Sequence, residues 1–276
     1  MTATTLLRDA FADPEPRRWA RFSPRERIAR AVVYVLGASA VVWSLRTVEI
    51  IPEFLADAPA QTVDLFARMW PFDWAFYPKA VHAALIETLH TATLGTILAL
   101  ALALPFSFLA ARNFTRAPLL NWIAQFVFVA SRSVNSLIWA LLFVAIFGPG
   151  PLAGTLAIAF RSVGFVGKLF GEALEEAQKG PVEALTAAGA PRSVVLAKAY
   201  WPQVEPAFWS VALLRWDINI RESAVLGLVG AGGIGVALDA AMNNLYWDQV
   251  GLILAVIFLV VIATEFVTSF IRSRIL

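Results

Sequence analysis

The chain has 276 residues and a net charge of only +2, with 59% hydrophobic residues, 15% charged residues and a mean hydropathy of +0.70. Soluble domains average about 45–50% apolar and about 25% charged residues, so this composition belongs to a polytopic membrane protein, and the small charge gives no ground for a nucleic-acid partner. With no cysteine, and with His82 and His90 as the only histidines, the chain has no disulfides, no thiolate or histidine-rich metal site and no cysteine nucleophile.

A helix needs about 20 mostly apolar residues to cross ~30 Å of hydrocarbon. Helices are the default there, because lipid leaves no backbone polar group unpaired without cost. The first span is read at residues 28–45, behind Arg17, Arg18, Arg21, Arg25, Arg27 and Arg30. A basic start, an apolar run and Ala58-Pro59-Ala60 are the parts of a cleavable signal. The apolar run begins too late, however, and the small-residue match lies well beyond its end, so a retained helix is expected. Residues 49–80, with Pro52, Pro59, Pro71, Pro78, Trp70 and Trp74, read as extracytoplasmic interfacial turns and a short lid.

The second span is 86–111; Glu87 and His90, three apart at its start, read as a structural pair. The third is 119–147, broken near Ser131-Arg132-Ser133. The fourth, fifth and sixth are 152–170, 204–220 and 250–271. The longest inner loop, 171–203, reads as a short helix from Pro181 stopped by Gly189-Ala190-Pro191, then a second helical stretch, 192–200, ending before Pro202. With six spans most basic residues fall on one side: the N-terminal arginines, Arg112, Arg116, Lys179, Arg192, Lys198, Arg272 and Arg274; the opposite loops hold fewer, Arg46, Arg68 and Lys79 in the first and Arg221 at the edge of the third. The positive-inside rule makes that side, and both termini, cytoplasmic. The expected organisation is 1–80 (N-terminal cytoplasmic segment, first span, extracytoplasmic loop) and 81–276 (transmembrane domain with the loop 171–203).

Gly230, Gly232 and Gly235 satisfy G-x-G-x-x-G, the pattern of a dinucleotide-binding turn. That turn needs a strand before it and a βαβ unit around it, whereas here an apolar span follows and no other segment offers a parallel sheet. Gly230, Gly232, Gly233 and Gly235 read instead as a tight turn and close helix packing at the outer face, where a gate would sit. Arg132, Arg161 and Arg215 lie within apolar spans, where charge is costly and faces protein or water. Asp217 and Arg221 are four apart and can pair. The five residues are either internal bracing or, with Glu222 nearby, a weakly attractive anion pathway, since guanidinium suits phosphorus oxyanions.

Two motifs resemble a known family. In the inner loop Glu183, Ala184, Gly189 and Pro202 stand at the spacing of the E-A-A-x-x-x-G-x9-I-x-L-P loop of ABC importer permeases, with Leu185, Ala199 and Trp201 in place of Ala, Ile and Leu. Residues 215–221 (RWDINIR) and 225–235 (VLGLVGAGGIG) resemble the R-W/F-E-x-N-I-R and V-L-G-L-V-G-A-G-G-I-G segments of phosphonate-type permeases, with Asp217 for Glu. Residues 131–135 resemble that family's R-S-I-P segment, with Asn135 where proline is common, so a weaker kink is expected. The likeness covers roughly residues 80–276.

The resemblance implies an all-α polytopic bundle of about six transmembrane helices with the type I ABC importer (methionine-importer-like) fold. It implies a permease subunit for phosphonate or a related phosphorus oxyanion, working by alternating access, with phosphite, phosphate or another solute as alternatives. It also implies an ATPase subunit docking on the loop helix, an extracytoplasmic substrate-binding protein and a bacterial inner-membrane location. No P-loop is visible, so the chain is not expected to be an enzyme, to carry catalytic or metal-binding residues or to hold a cofactor; ATP and Mg are expected on the ATPase. A homodimer is the simplest completion of the pore. The rival of a different class is the membrane-anchor subunit of a membrane enzyme, against which the paucity of histidines and of paired intramembrane carboxylates argues.

Overall fold

The computed structural model describes residues 22–48, 51–115 and 117–275; Arg17, Arg18, Arg21 and Arg116 lie outside the described residues. The chain divides into two compact units, 1–61 and 62–276.

In the first unit, α1 (Pro24–Thr47) opens on a capping box: Glu26 N–H donates to Ser23 Oγ (3.4 Å) and Ser23 N–H to Glu26 Oε2 (2.9 Å). Its 24 residues are long and apolar enough to cross a membrane. The segment read as turns and a lid is instead largely helical: α2 (Pro52–Met69) begins in this unit and ends in the next. Glu53, Asp57, Asp64 and Arg68 recur at spacings of four and seven along one side, and Arg68 pairs with Asp64 at 2.6 Å. That helical period outweighs the prolines. Pro52 sits in the first turn, where its missing N–H costs nothing, and Pro59 removes a single ladder bond.

In the second unit, a 3₁₀ turn (Trp74–Phe76) and a π turn (Tyr77–Val81) run into α3 (His82–Ala110). Then α4 (Pro118–Ser133) and α5 (Ser136–Phe147) meet at 92°. The bend is sharp, not weakened by Asn135 as expected. Asn135 takes an extended backbone (φ −65°, ψ 146°), and its side chain accepts from Leu137 N–H at 3.1 Å, which starts a new helix as well as a proline would break the old one. The chain continues through α6 (Pro151–Glu176), α7 (Lys179–Ala187), α8 (Arg192–Val195), a π turn (Leu196–Tyr200) and α9 (Trp201–Leu226). A 3₁₀ turn (Gly227–Val229), α10 (Ile234–Asn243) and α11 (Trp247–Ile275) complete it. Among the described residues, four helices pass for membrane spans alone, and up to six if each bent pair is one span. The second bent pair is Arg192–Val229 with α10, at 43°.

α6 is the central helix and packs against α3, α4, α5 and α9. Its buried side mixes small residues, Ala153, Gly154, Ala157, Gly164 and Gly167, with the large Ile158, Phe170 and Leu174. Lipid gives helices no hydrophobic reason to associate, so close approach and hydrogen bonds hold them. Gly164 and Gly167 leave the room that Phe128 of α4 fills. Ser131 Oγ accepts from Gly164 N–H (3.0 Å), and Ser107 Oγ of α3 donates to the Gly167 carbonyl (3.1 Å). One end of this unit gathers the start of α3, the α5–α6 turn and the turn before α10. The other gathers the chain after α3 and the end of α6, where Asn113 Nδ2 donates to the Leu174 carbonyl at 2.7 Å and Arg112 N–H to Glu175 at 2.7 Å.

Candidate functional site

Helical spacing puts Arg215, Asn219 and Glu222 on one face of α9, and that face meets α6 and α3. Arg215 Nε donates to Ser162 Oγ at 2.7 Å, and its Nη2 to Glu222 Oε2 at 3.3 Å. Arg161 of α6 donates to the same Glu222 carboxylate. Ser162 Oγ lies 3.2 Å from Asn219 Oδ1, and Asn219 Nδ2 donates to Thr96 Oγ1 of α3 at 2.8 Å. The side chain of Arg215 is 5% exposed, that of Glu222 17% and that of Arg161 29%, so the cluster is closed at Arg215 and open at Arg161. Two guanidiniums and one carboxylate leave a positive charge in excess.

On another face of α9, Asp217 accepts from Arg221 and, at 3.5 Å, from Thr264 Oγ1 of α11. Trp216 Nε1 donates to Thr93 Oγ1 of α3 at 3.0 Å. The structure therefore brings Arg161 and Arg215 together, keeps Asp217 and Arg221 as a separate pair and leaves Arg132 exposed at the end of α4, without an ion pair among the described residues. Glu222 joins the two arginines. Its position seven residues after Arg215, on the same helix face, is the signal that points to it.

The glycine segment is a helix-to-helix turn. Gly230 N–H donates to the Gly227 carbonyl (3.0 Å) and Ala231 N–H to the Leu226 carbonyl (3.2 Å), which closes α9 and its 3₁₀ turn. Gly230, Gly232 and Gly233 have φ of +81°, +82° and +76°, a conformation that only glycine adopts without strain. At Gly235 the reason is proximity, because a Cβ there would overlap the Ala224 carbonyl. Two donors at the start of α10 are taken from outside: Gly233 N–H by Glu87 Oε1 (2.9 Å) and Ile234 N–H by Thr88 Oγ1 (2.8 Å). The carboxylate sits where the helix dipole favours negative charge. Glu87 is thus a cap for this turn and not the partner of His90. Gly150 N–H, in the α5–α6 turn, donates to the Gly230 carbonyl at 2.9 Å. Beside the turn lies a cleft of about 710 Å³ lined by Glu87, Gly150, Gly232, Ala237, Tyr246 and Gln249 among others.

In the inner loop, α7 ends as its sequence requires. Gly189, at φ +77°, donates to the Thr186 carbonyl (3.0 Å) and Ala190 N–H to the Leu185 carbonyl (3.1 Å), and Pro191 follows. Glu183 and Ala184 are exposed, whereas Val182 and Leu185 are half-buried. Leu185, where the motif usually has alanine, faces inward and leaves the exposed side small. The second helical stretch does not stop before Pro202. Trp201 N–H bonds back to the Leu196 carbonyl in a π register, and the chain passes into α9 with Pro202 in its first turn, where the missing N–H is tolerated. Gln203 closes the base of the loop, accepting from Gln178 N–H at 2.8 Å and donating to the Ala199 carbonyl at 2.6 Å.

Comparison with known proteins agrees with this geometry. Residues 103–274 match the family described as binding-protein-dependent transport system inner membrane component. The chain is 37% identical over 250 residues to the phosphate-import permease protein PhnE of Mycolicibacterium smegmatis, covering 91% of this chain and 47% of that protein; it spans about half that relative's length. It is 43% identical over 210 residues to the phosphite transport system permease protein PtxC of Stutzerimonas stutzeri, covering 76% of each. The fold superposes with a TM-score of 0.62 and 20% identity on a chain of the MetNI methionine ABC transporter in an inward-facing conformation, covering 71% of this chain and 96% of that one. The resemblance read from residues 215–235 and the helical importer fold it implied are both borne out. The chain belongs to the family of inner membrane components of binding-protein-dependent transport systems, as a permease subunit.

Proposed function

We propose that this chain forms half of the membrane pathway of an ATP-driven importer for a phosphorus oxyanion, namely phosphonate, phosphite or phosphate. The observation that carries the reading is the convergence of Arg161 and Arg215 on one carboxylate inside the bundle, in a chain whose relatives bear phosphate- and phosphite-transport names. Guanidinium donors match such oxyanions in charge and in geometry.

The end carrying α7, with Lys179, Arg192 and Lys198 nearby, is cytoplasmic, and both termini lie on that side. There the exposed Glu183–Ala184 side of α7 docks on a separate ATPase subunit, which holds ATP and Mg. The end carrying Gly230–Gly235 is extracytoplasmic and meets a loaded substrate-binding protein. Two copies of the chain enclose the pathway on a two-fold axis, and nucleotide-driven closure, entering through α7, opens the glycine turn.

The test is uptake of labelled phosphate in cells lacking other phosphorus importers and given this chain with an ATPase and a binding protein. The expected result is uptake that unlabelled methylphosphonate or phosphite suppresses. Uptake unaffected by any phosphorus oxyanion, or none above the empty cells, contradicts the reading.

A further inference from the structure

Glu222 is the one carboxylate in the charge cluster, and a structural bridge needs only one arginine for it. Here it has two, Arg161 from α6 and Arg215 from α9. Arg215 is fixed independently: Ser162 takes its Nε, and Phe165 lies under its guanidinium at 5.6 Å. Arg161 has Glu222 as its sole side-chain partner among the described residues, and its side chain is the most open of the three at 29%. A guanidinium inside an apolar span does not face hydrocarbon, so the open side of Arg161 faces water or another protein surface.

We propose that Glu222 is a built-in stand-in for the transported oxyanion. It occupies the Arg161–Arg215 pair when no anion is present, and the anion enters by taking Arg161 while Glu222 stays on Arg215. The inference rests on the phosphorus-oxyanion reading above. A carboxylate and a phosphorus oxyanion offer a guanidinium the same thing, two oxygens on one atom that accept in parallel. The charges also balance. Empty, the cluster is positive by one; holding the monoanionic form of the oxyanion, it is neutral. Without Glu222 it would be positive by two and would trap the anion instead of passing it on. Glu222 is therefore a positioning residue that sets how weakly the pathway binds.

The experiment uses the permease–ATPase complex without binding protein for direct binding of inorganic phosphate and methylphosphonate, read by tryptophan fluorescence. The full transporter in proteoliposomes gives uptake, and co-elution with the ATPase reports assembly. Glu222→Gln is expected to tighten anion binding and slow uptake, each about tenfold, the scale of one charge-assisted hydrogen bond. Arg161→Gln is expected to abolish anion binding while the Arg215–Glu222 bond and assembly persist. A Glu222→Gln protein with wild-type affinity and rate overturns the proposal, and so does an assembled Arg161→Gln protein with wild-type uptake. Should Glu222→Gln not assemble, the Arg161→Gln arm decides. A wild-type transporter that moves none of phosphate, phosphite or methylphosphonate sinks the oxyanion reading, and this inference with it; uptake by the wild type with indifferent variants sinks this inference alone.

Discussion

At the residue scale, the glycine turn is held by two side chains that no spacing rule pairs with it. Glu87 and Thr88 lie 146 residues before the N–H groups they accept from. The sequence shows that Gly230, Gly232 and Gly233 need special backbone angles. It does not show what fixes the turn, because the partners come from another helix, and the local candidate for Glu87 was His90. Two substitutions separate conformation from capping. Gly232→Ala puts a side chain on a positive φ and against the Pro151 backbone, with an expected loss of about 1–3 kcal/mol. Thr88→Val removes the acceptor of the Ile234 N–H together with the Thr88 hydroxyl's bond to the Ala84 carbonyl, with an expected loss of about 1 kcal/mol. Thermal melts of the detergent-solubilised protein rank them: both melt below the wild type, Gly232→Ala lower. If Gly232→Ala melts at the wild-type temperature, the turn is not constrained as described.

At the scale of elements, the spans were legible because twenty-residue apolar runs leave few alternatives in lipid. The breaks between them were legible only in part. In sequence Asn135 stands only as a missing proline, yet its side chain caps a new helix where the chain bends by 92°. In sequence Pro202 looks like a stop, yet a π register carries the helix past it. In α2 the prolines hid a helical period of charged residues. The end of α7 is legible in the sequence, since Gly189 followed by Pro191 leaves it one way to end. The pieces of the inner loop can be perturbed separately. Glu183 is exposed, so Glu183→Arg should change permease stability by less than about 0.5 kcal/mol while weakening association with the ATPase. Gly189→Pro removes the N–H that closes α7 on the Thr186 carbonyl and should lower both stability and association. Co-elution with the ATPase, measured beside a thermal melt, reads both quantities. Full association of Glu183→Arg would remove α7 from the docking surface.

At the scale of the whole molecule, buried polar groups tie the central helices together. α9 is fastened to α3 through Thr93 and Thr96, to α6 through Ser162 and Arg161, and to α11 through Thr264. The end of α9 nearer the inner loop begins at the loop base held by Gln203, and its other end leads into the glycine turn held by α3. One continuous helix therefore joins the loop base, the charge cluster and the turn. Between α7 and α9 lie the Gly189 turn, α8 and the π turn, so α7 is a separate piece from the helix that carries the arginines. The central claim is that this chain conducts but does not power transport. The most direct measurement is phosphate uptake into proteoliposomes holding this chain alone, with the ATPase, and with ATPase, binding protein and ATP. The account predicts uptake only in the last case; uptake by the chain alone, or without ATP, would contradict it.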